Sequence, residues 1–579
     1  MKYPFRSKYL CHSAVALSSL LLCSQLLAQA PQIQIEGAPE ALEDNIRAHL
    51  TIAEERCDSL QRHLNRLRPQ VRQQIVRAAQ ALGYYQLQTE LTFTAAEPCW
   101  SLEIVLDPGE QVRFGEVNVL IPTDQSAVFQ EAIANIPVRS GAPLDHSQYE
   151  RLKSLLGSAA VDNGYFSARF NRSELRVDLQ RNLADVNLEF DPGERFSFGR
   201  MQISAMDALS ENFISRFIPF SPGEPYSTDQ LIALRETFNA SQYFDQVAVT
   251  PQLQLAQNQQ IPVTIELTPR ARRIYSAGAG VSTDSGPRVK AAYEDRYLNR
   301  NGHRLNADAT ASQLRQEINV SYIIPLQNPA HDSLRLNVGL IGEDTDTFER
   351  DTYRLGLSWR TRLGENWVQN IFTNLQREDF TVEARPQKST LTISGINLAR
   401  TRSDDPIFPN NGWRVFAQVS GASASLFSDL SFIQFYGSAK FIHSFGPLRL
   451  LLRGEAATTV ADELDELPAS QRFFAGGDQS IRGYDFGALG SLNADGQVIG
   501  GKHLLVGSAE IDFQLRPRWR AAVFFDRGNA FASFNDMNLV QSVGAGLRWL
   551  SPIGPIRLDL ARALDDNSFR VHITMGPDL

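Results

Sequence analysis

The chain has 579 residues, 43% of them hydrophobic and 21% charged, and a formal net charge of -9. That balance argues against a nucleic-acid partner, which would call for a basic surface. It does not argue against a membrane, because a transmembrane barrel with one apolar and one polar strand face averages to an ordinary soluble composition.

The N-terminus opens with Lys2, Arg6 and Lys8, followed by a mostly apolar stretch from Leu10 to Leu27 and by small residues at Ala28 and Ala30. This is the layout of a secretory signal peptide rather than of a membrane anchor, since the apolar core is short and broken by Cys11, His12 and serines. Cleavage is expected after Ala28, because Pro31 would directly follow a cut after Ala30. Leu22 before Cys23 argues against a lipoprotein signal. Beyond residue 30 no run of about eighteen apolar residues appears, so any membrane crossing must be made by strands. The mature chain retains Cys57 and Cys99. In an exported protein this pair favours a disulfide over two reduced, buried thiols, and two thiols without clustered histidines do not make a metal site.

The first half repeats itself. Gly83-Tyr84-Tyr85, Gly164-Tyr165-Phe166 and Gln242-Tyr243-Phe244 recur roughly 80 residues apart, which predicts three tandem modules. Asp107-Pro108-Gly109-Glu110 and Asp191-Pro192-Gly193-Glu194 recur at a similar interval, each followed by a Phe-Gly step. Within a copy, a short alternating strand (Val117, Val119, Ile121; then Met201, Ile203) precedes helical segments. The clearest helix is predicted over His146 to Ala160, with Tyr149, Leu152, Leu155 and Leu156 on one face; its counterpart starts at Thr228 with Leu231, Leu234 and Phe238. The glycine of the Gly-Tyr step suits a left-handed C-cap. Two strands close the copy, such as Val177 to Leu179 and Val186 to Phe190, giving β-α-α-β-β. The recurring aromatics are read as core anchors of each module.

After about residue 270 the period changes to two. Leu334, Leu336, Val338 and Leu340 alternate with polar residues or glycine, as do Tyr353 to Trp359, Val543 to Trp549 and Phe569 to Met575. The length of the region and the Arg, Asp and Glu on its polar face favour a barrel with a wet lumen over a soluble sandwich. At about nineteen residues per strand and turn, sixteen antiparallel strands are expected.

More specific residues follow. Phe473-Phe-Ala-Gly476-Gly477-Asp-Gln-Ser-Ile481-Arg482-Gly483-Tyr484 resembles the conserved inward loop of the BamA-type assembly-barrel superfamily, and Phe524-Phe-Asp526-Arg-Gly528 is similar to its Phe-x-Asp-x-Gly strand. The modules then resemble POTRA domains. Three of them before such a barrel, the stretch Gly280 to Lys290 and the ending Gly576-Pro-Asp-Leu579 are similar to the TamA-type branch. The chain thus divides into a signal peptide (1–28), POTRA domains over 29–107, 108–192 and 193–268, and an all-β outer-membrane barrel over 269–579. The expected location is the outer membrane of a diderm bacterium, with the POTRA domains in the periplasm.

Period two places Glu510, with Ser508 and Asp512, and Asp526, with Phe524 and Gly528, on inward faces. The resemblance implies that Arg482 meets these two carboxylates, where its planar fork would fix the loop. It also implies a lateral seam between the first barrel strand, near Tyr275 to Val281, and the last, Phe569 to Gly576. Gly278, Gly280 and Gly576 would weaken that seam, or alternatively relieve crowding in a curved sheet. A seam that opens would template an incoming strand by edge addition. The implied function is assembly and insertion of outer-membrane proteins, autotransporters among them, with a TamB-like inner-membrane partner and contact with membrane lipids. Phospholipid transport between membranes, a two-partner-type secretion pore and a passive channel are the alternatives. No Ser/His/Asp grouping, phosphate loop or metal cluster stands out, and His63, His146, His303 and His503 stand apart. No cofactor, metal or enzymatic activity is therefore expected.

Overall fold

The computed structural model describes residues 30–95, 99–122, 126–204, 207–364, 366–382, 385–551 and 554–576. The expected signal peptide lies outside them. The described chain forms two compact units: the first runs to Phe198 and includes Gly223–Asp229 and Gln257–Gln260, and the second holds the remainder.

The first unit carries two α+β domains of one plan. In the first, β1 (Gln32–Glu36), α1 (Glu40–His49), α2 (Gln61–Ala81), β2 (Gln88–Thr94) and β3 (Ser101–Asp107) form a three-stranded sheet in the order β1-β3-β2. β1 runs parallel to β3 and β2 antiparallel to it. Helical spacing on α2 buries Leu64, Val71, Ile75 and Ala78 against Leu102 and Ile104 of β3. The second domain repeats this with β4 (Arg113–Leu120), α3 (Gln130–Ala134), α4 (His146–Asp162), β5 (Arg169–Asp178) and β6 (Leu183–Asp191), ordered β4-β6-β5. The Asp145 carboxylate caps α4 by accepting from the Ser147 amide, satisfying one of the orphan donors at a helix start. Tyr149, Leu152, Leu156 and Ala160 face the core. β5 begins eight residues before the predicted Val177. It is an edge strand exposed along much of its length, so its polar first half carries no alternation to read.

Each helix before the Gly-Tyr step ends in the same way. Gly83 has φ +84° and Gly164 φ +87°, and the next amide folds back five residues, Tyr84 to Ala79 O (2.9 Å) and Tyr165 to Ala160 O (2.8 Å). This is a Schellman cap. In the third copy Gln242 occupies the left-handed position, φ +64°.

Cys57 and Cys99 form a disulfide, closing a 42-residue separation with Cα atoms 4.4 Å apart. It ties the segment before α2 to the segment before β3, beside the buried Trp100, whose indole donates to Arg56 O (3.0 Å). Replacing both cysteines by serine is expected to lower the first domain's stability by up to about 4 kcal/mol. Urea unfolding followed by Trp100 fluorescence measures this, and an unchanged midpoint refutes it.

The second unit holds most of the third domain and the barrel. β7 (Ser197–Ile203), α5 (Glu211–Ser215), α6 (Thr228–Ala240), β8 (Phe244–Pro251) and β9 (Gln260–Pro269) form the sheet β7-β9-β8. This domain meets the barrel directly: the Tyr243 hydroxyl donates to Gly302 O (2.7 Å) and Arg216 to Leu326 O (3.0 Å).

The barrel has sixteen strands in sequence order, interrupted only by the long loop between the eleventh (Leu448–Val460) and the twelfth (His503–Arg516). Leu336, Val338, Leu340, Tyr353, Leu355, Leu357 and Trp359 are exposed on its outside, as an apolar belt facing lipid requires. Trp359, Trp367, Trp413, Trp519 and Trp549 all fall near strand ends on the side of the third domain, an aromatic girdle at one interface.

Candidate functional site: the inward loop and the strand junction

Arg482 sits on the loop that enters the barrel. Ile481 before it is fully buried among Ala475, Leu504, Val506 and Ala530, so hydrophobic burial holds the loop at depth. Gly483 after it has φ +97°, and a side chain there would press on the Ala563 amide at 3.1 Å; only glycine combines that conformation with that approach.

The guanidinium is saturated by three carboxylates and the Ser508 hydroxyl. Nε and Nη2 donate to the two oxygens of Asp526 (2.8 and 2.9 Å), and the Arg482 amide adds a third bond to Asp526 (3.1 Å). Nη1 donates to Glu510 (2.7 Å) and Asp559 (3.2 Å). The Phe524 ring lies 3.4 Å below the guanidinium carbon, and cation–π attraction supports the placement. Arg548 closes the network from the far side, donating to Glu510 (3.0 and 2.8 Å) and Asp559 (2.5 Å). Asp526 also accepts from Ser508 (2.5 Å).

The expected meeting of Arg482 with Glu510 and Asp526 is thus present in the geometry, with Phe524 against it. Gly528 stands on the same strand as Asp526, where it packs against the backbone of Leu505 and Val506. Tyr484 reaches outward, its hydroxyl donating to Asp565 (2.9 Å). Asp559 and Arg548 were not singled out in the sequence. Alternation between Leu558 and Leu560 marks Asp559 as inward-facing, but nothing local says which cation it meets.

The first barrel strand (Arg273–Ser282) and the last (Phe569–Met575) share no ladder among the described residues; they form the two ends of the strand order. Among the described residues one backbone bond joins the sides, Thr283 N to Ile573 O (3.4 Å), with Ile573 N donating to the Thr283 hydroxyl (3.1 Å). Continuing this antiparallel register sets Gly280 opposite Gly576. It leaves Arg273 to Ala279, including Gly278, without a counterpart in the described part of the last strand. Gly278 has open space around it, and Gly280 lies beside the Arg288 side chain.

The inward loop also spans this junction, which the sequence did not disclose. Asp478 accepts from the Ser282 hydroxyl (2.8 Å), the Thr283 hydroxyl (3.0 Å) and His572 Nδ1. Its amide donates to Asp284 (2.6 Å). His572 Nε2 accepts from the Gly483 amide (2.8 Å), so the neutral imidazole carries its proton on Nδ1. Ligand-type atoms of Asp284, Asp478 and His572 lie within 4.8 Å of one another. Such atoms are a potential cation set, but Asp478 and His572 are engaged within the chain.

Comparison with known proteins places this geometry. Residues 298–578 match the Omp85 superfamily domain, and residues 32–108 match the POTRA domain described as TamA domain 1. The outer membrane protein assembly factor BamA of Nitratidesulfovibrio vulgaris is 23% identical over 450 residues, covering 73% of this chain and 56% of its own. BamA of Neisseria meningitidis is 21% identical over 561 residues, covering 83% and 68% respectively. The chain therefore spans little more than half the length of the first relative. In structure, Haemophilus ducreyi BamA lacking POTRA domains 1–3 superposes with a TM-score of 0.64 at 16% identity, over 81% of this chain and all of the other.

Proposed function

We propose, from the premise that the chain carries an Omp85 superfamily domain behind a TamA-type POTRA domain, that it assembles and inserts outer-membrane proteins, autotransporters among them. The barrel lies in an outer membrane and the POTRA domain in the periplasm. The observation that carries the proposal is the edge of the first strand from Arg273 to Ala279, which pairs with no described residue of the last strand, set beside a loop that Arg482 anchors. Barrels normally close because an open edge in lipid leaves backbone groups unsatisfied. Here the edge offers donors and acceptors to which an incoming strand would add. Gly278, Gly280 and Gly576 keep both sides thin and weakly pairing. The second and third α+β domains, with the same sheet order as the first, are read as further POTRA domains. Their edge strands would receive clients and a TamB-like inner-membrane partner.

Locking the junction tests this. Thr283→Cys with Ile573→Cys, in a Cys57→Ser/Cys99→Ser background, joins the two sides where they already touch. Oxidation is expected to reduce assembly of a model autotransporter in reconstituted membranes at least about tenfold, with recovery on reduction. Full activity in the oxidised protein eliminates lateral opening as the mechanism.

A further inference from the structure

A second polar site lies at the periplasmic mouth of the lumen, far along the sheet from the Arg482 network. A cavity of about 280 Å³ opens between the third domain and the barrel, on residues that all lie within the second unit. Arg304 enters it from the start of the third barrel strand, Arg335 from the start of the fifth, and Arg360 and Arg362 from the end of the sixth. His331 and Asp332, in the turn before the fifth strand, complete the wall.

The charges do not balance. Arg304 is matched, donating to Glu294 (2.6 Å) and Gln242 (3.1 Å). Asp332, the carboxylate in the lining, accepts from the Thr361 hydroxyl. Among the described residues Arg335, Arg360 and Arg362 enter no ion pair, whereas Arg315, Arg350 and Arg548 elsewhere in the lumen are paired with acids and Arg354 is taken up by the Gln376 side chain. Arg335 Nε and His331 Nδ1 are buried without a hydrogen-bond partner. Buried polar nitrogens of a folded protein are ordinarily satisfied, and each exception calls for a reason. Like charges gathered in a partly shielded cavity repel, so such a cluster costs stability unless an anion shares the space.

We infer that this pocket binds a phosphate group. A carboxylate offers two oxygens and one charge. A phosphate offers three or four oxygens directed tetrahedrally, which suits several guanidinium forks arriving from different strands. Two sources present that chemistry at the periplasmic face, an anionic phospholipid headgroup and free phosphate. The inference does not rest on the assembly reading, since binding is measured without any client.

The test is calorimetric titration of the purified full chain in a neutral detergent. The probes are inorganic phosphate and dihexanoyl phosphatidylglycerol, with dihexanoylglycerol as the phosphate-free control. Both phosphate probes are expected to bind, and the control not to. Arg335→Gln is expected to weaken binding at least about tenfold, and Arg335→Gln with Arg360→Gln and Arg362→Gln to abolish it, because charged hydrogen bonds to the anion are removed. Arg315→Gln, outside the pocket, should leave affinity unchanged. Tighter binding of the lipid than of phosphate identifies a headgroup site; equal binding identifies a free-phosphate site. The inference is overturned if neither probe binds, if the control binds as well as the lipid, or if folded pocket variants bind like the parent. Heat-modifiable migration reports folding, and the single variants serve where the triple one does not fold.

Discussion

Arg482→Ala is expected to free the inward loop and to collapse assembly activity. Arg482 is 6% exposed and Asp526 fully buried, so truncation leaves a buried carboxylate with the Ser508 hydroxyl and, if the loop stays, one amide. Removing one partner of a buried ion pair costs about 3–5 kcal/mol, more than the intact pair contributes, because the stranded charge must be rehydrated. The cheapest route to water is withdrawal of the loop. Glu510 and Asp559 keep Arg548, so the barrel wall should survive while the loop does not. Arg482→Lys should fail nearly as badly: one ammonium cannot span both oxygens of Asp526 while reaching Glu510 and Asp559. Limited proteolysis between residues 461 and 502, run beside reconstituted assembly, measures both effects. A protected loop with full activity in Arg482→Ala would remove the network from the mechanism.

The legibility of this site in the sequence follows from range. Period two needs only neighbours, so the barrel and the inward facing of Glu510 and Asp526 were readable residue by residue. The strand number came from length and an assumed spacing. The Gly-Tyr steps were readable because a left-handed cap is a local demand, and Gln242 shows that the demand can be met without glycine. Arg548 and Asp559 were not readable as members of the network. Their meeting with Arg482 depends on strand registers and on how deep the loop descends, which no local pattern encodes. The same holds for Asp478 and His572, 94 residues apart: a lone histidine on an alternating strand carries no sign of its partner. The three unmatched arginines at the lumen mouth look in sequence like any inward-facing cation, and only the placement of acids elsewhere sets them apart.

Asp478→Ala is expected to loosen the strand junction while leaving the Arg482 network in place. Asp478 is the point at which the loop touches both sides, through Ser282 and Thr283 of the first hairpin and His572 of the last strand. Apart from these contacts, the junction has the Thr283–Ile573 bonds and little else between described backbones. In the Thr283→Cys/Ile573→Cys pair the Thr283 hydroxyl is already gone, so losing the two remaining bonds, to Ser282 and His572, of about 0.5–1.5 kcal/mol each should slow oxidation of the pair about tenfold. His572→Phe should do the same and also release the Gly483 amide. His572→Asn, which keeps a donor and an acceptor, should recover part of the rate. Proteolysis of the loop separates this from Arg482→Ala: protection is kept here and lost there. Unchanged cross-linking in Asp478→Ala would mean that the strands hold the junction themselves. The loop would then be a passenger at the junction, and Arg482 would matter only for keeping it inside.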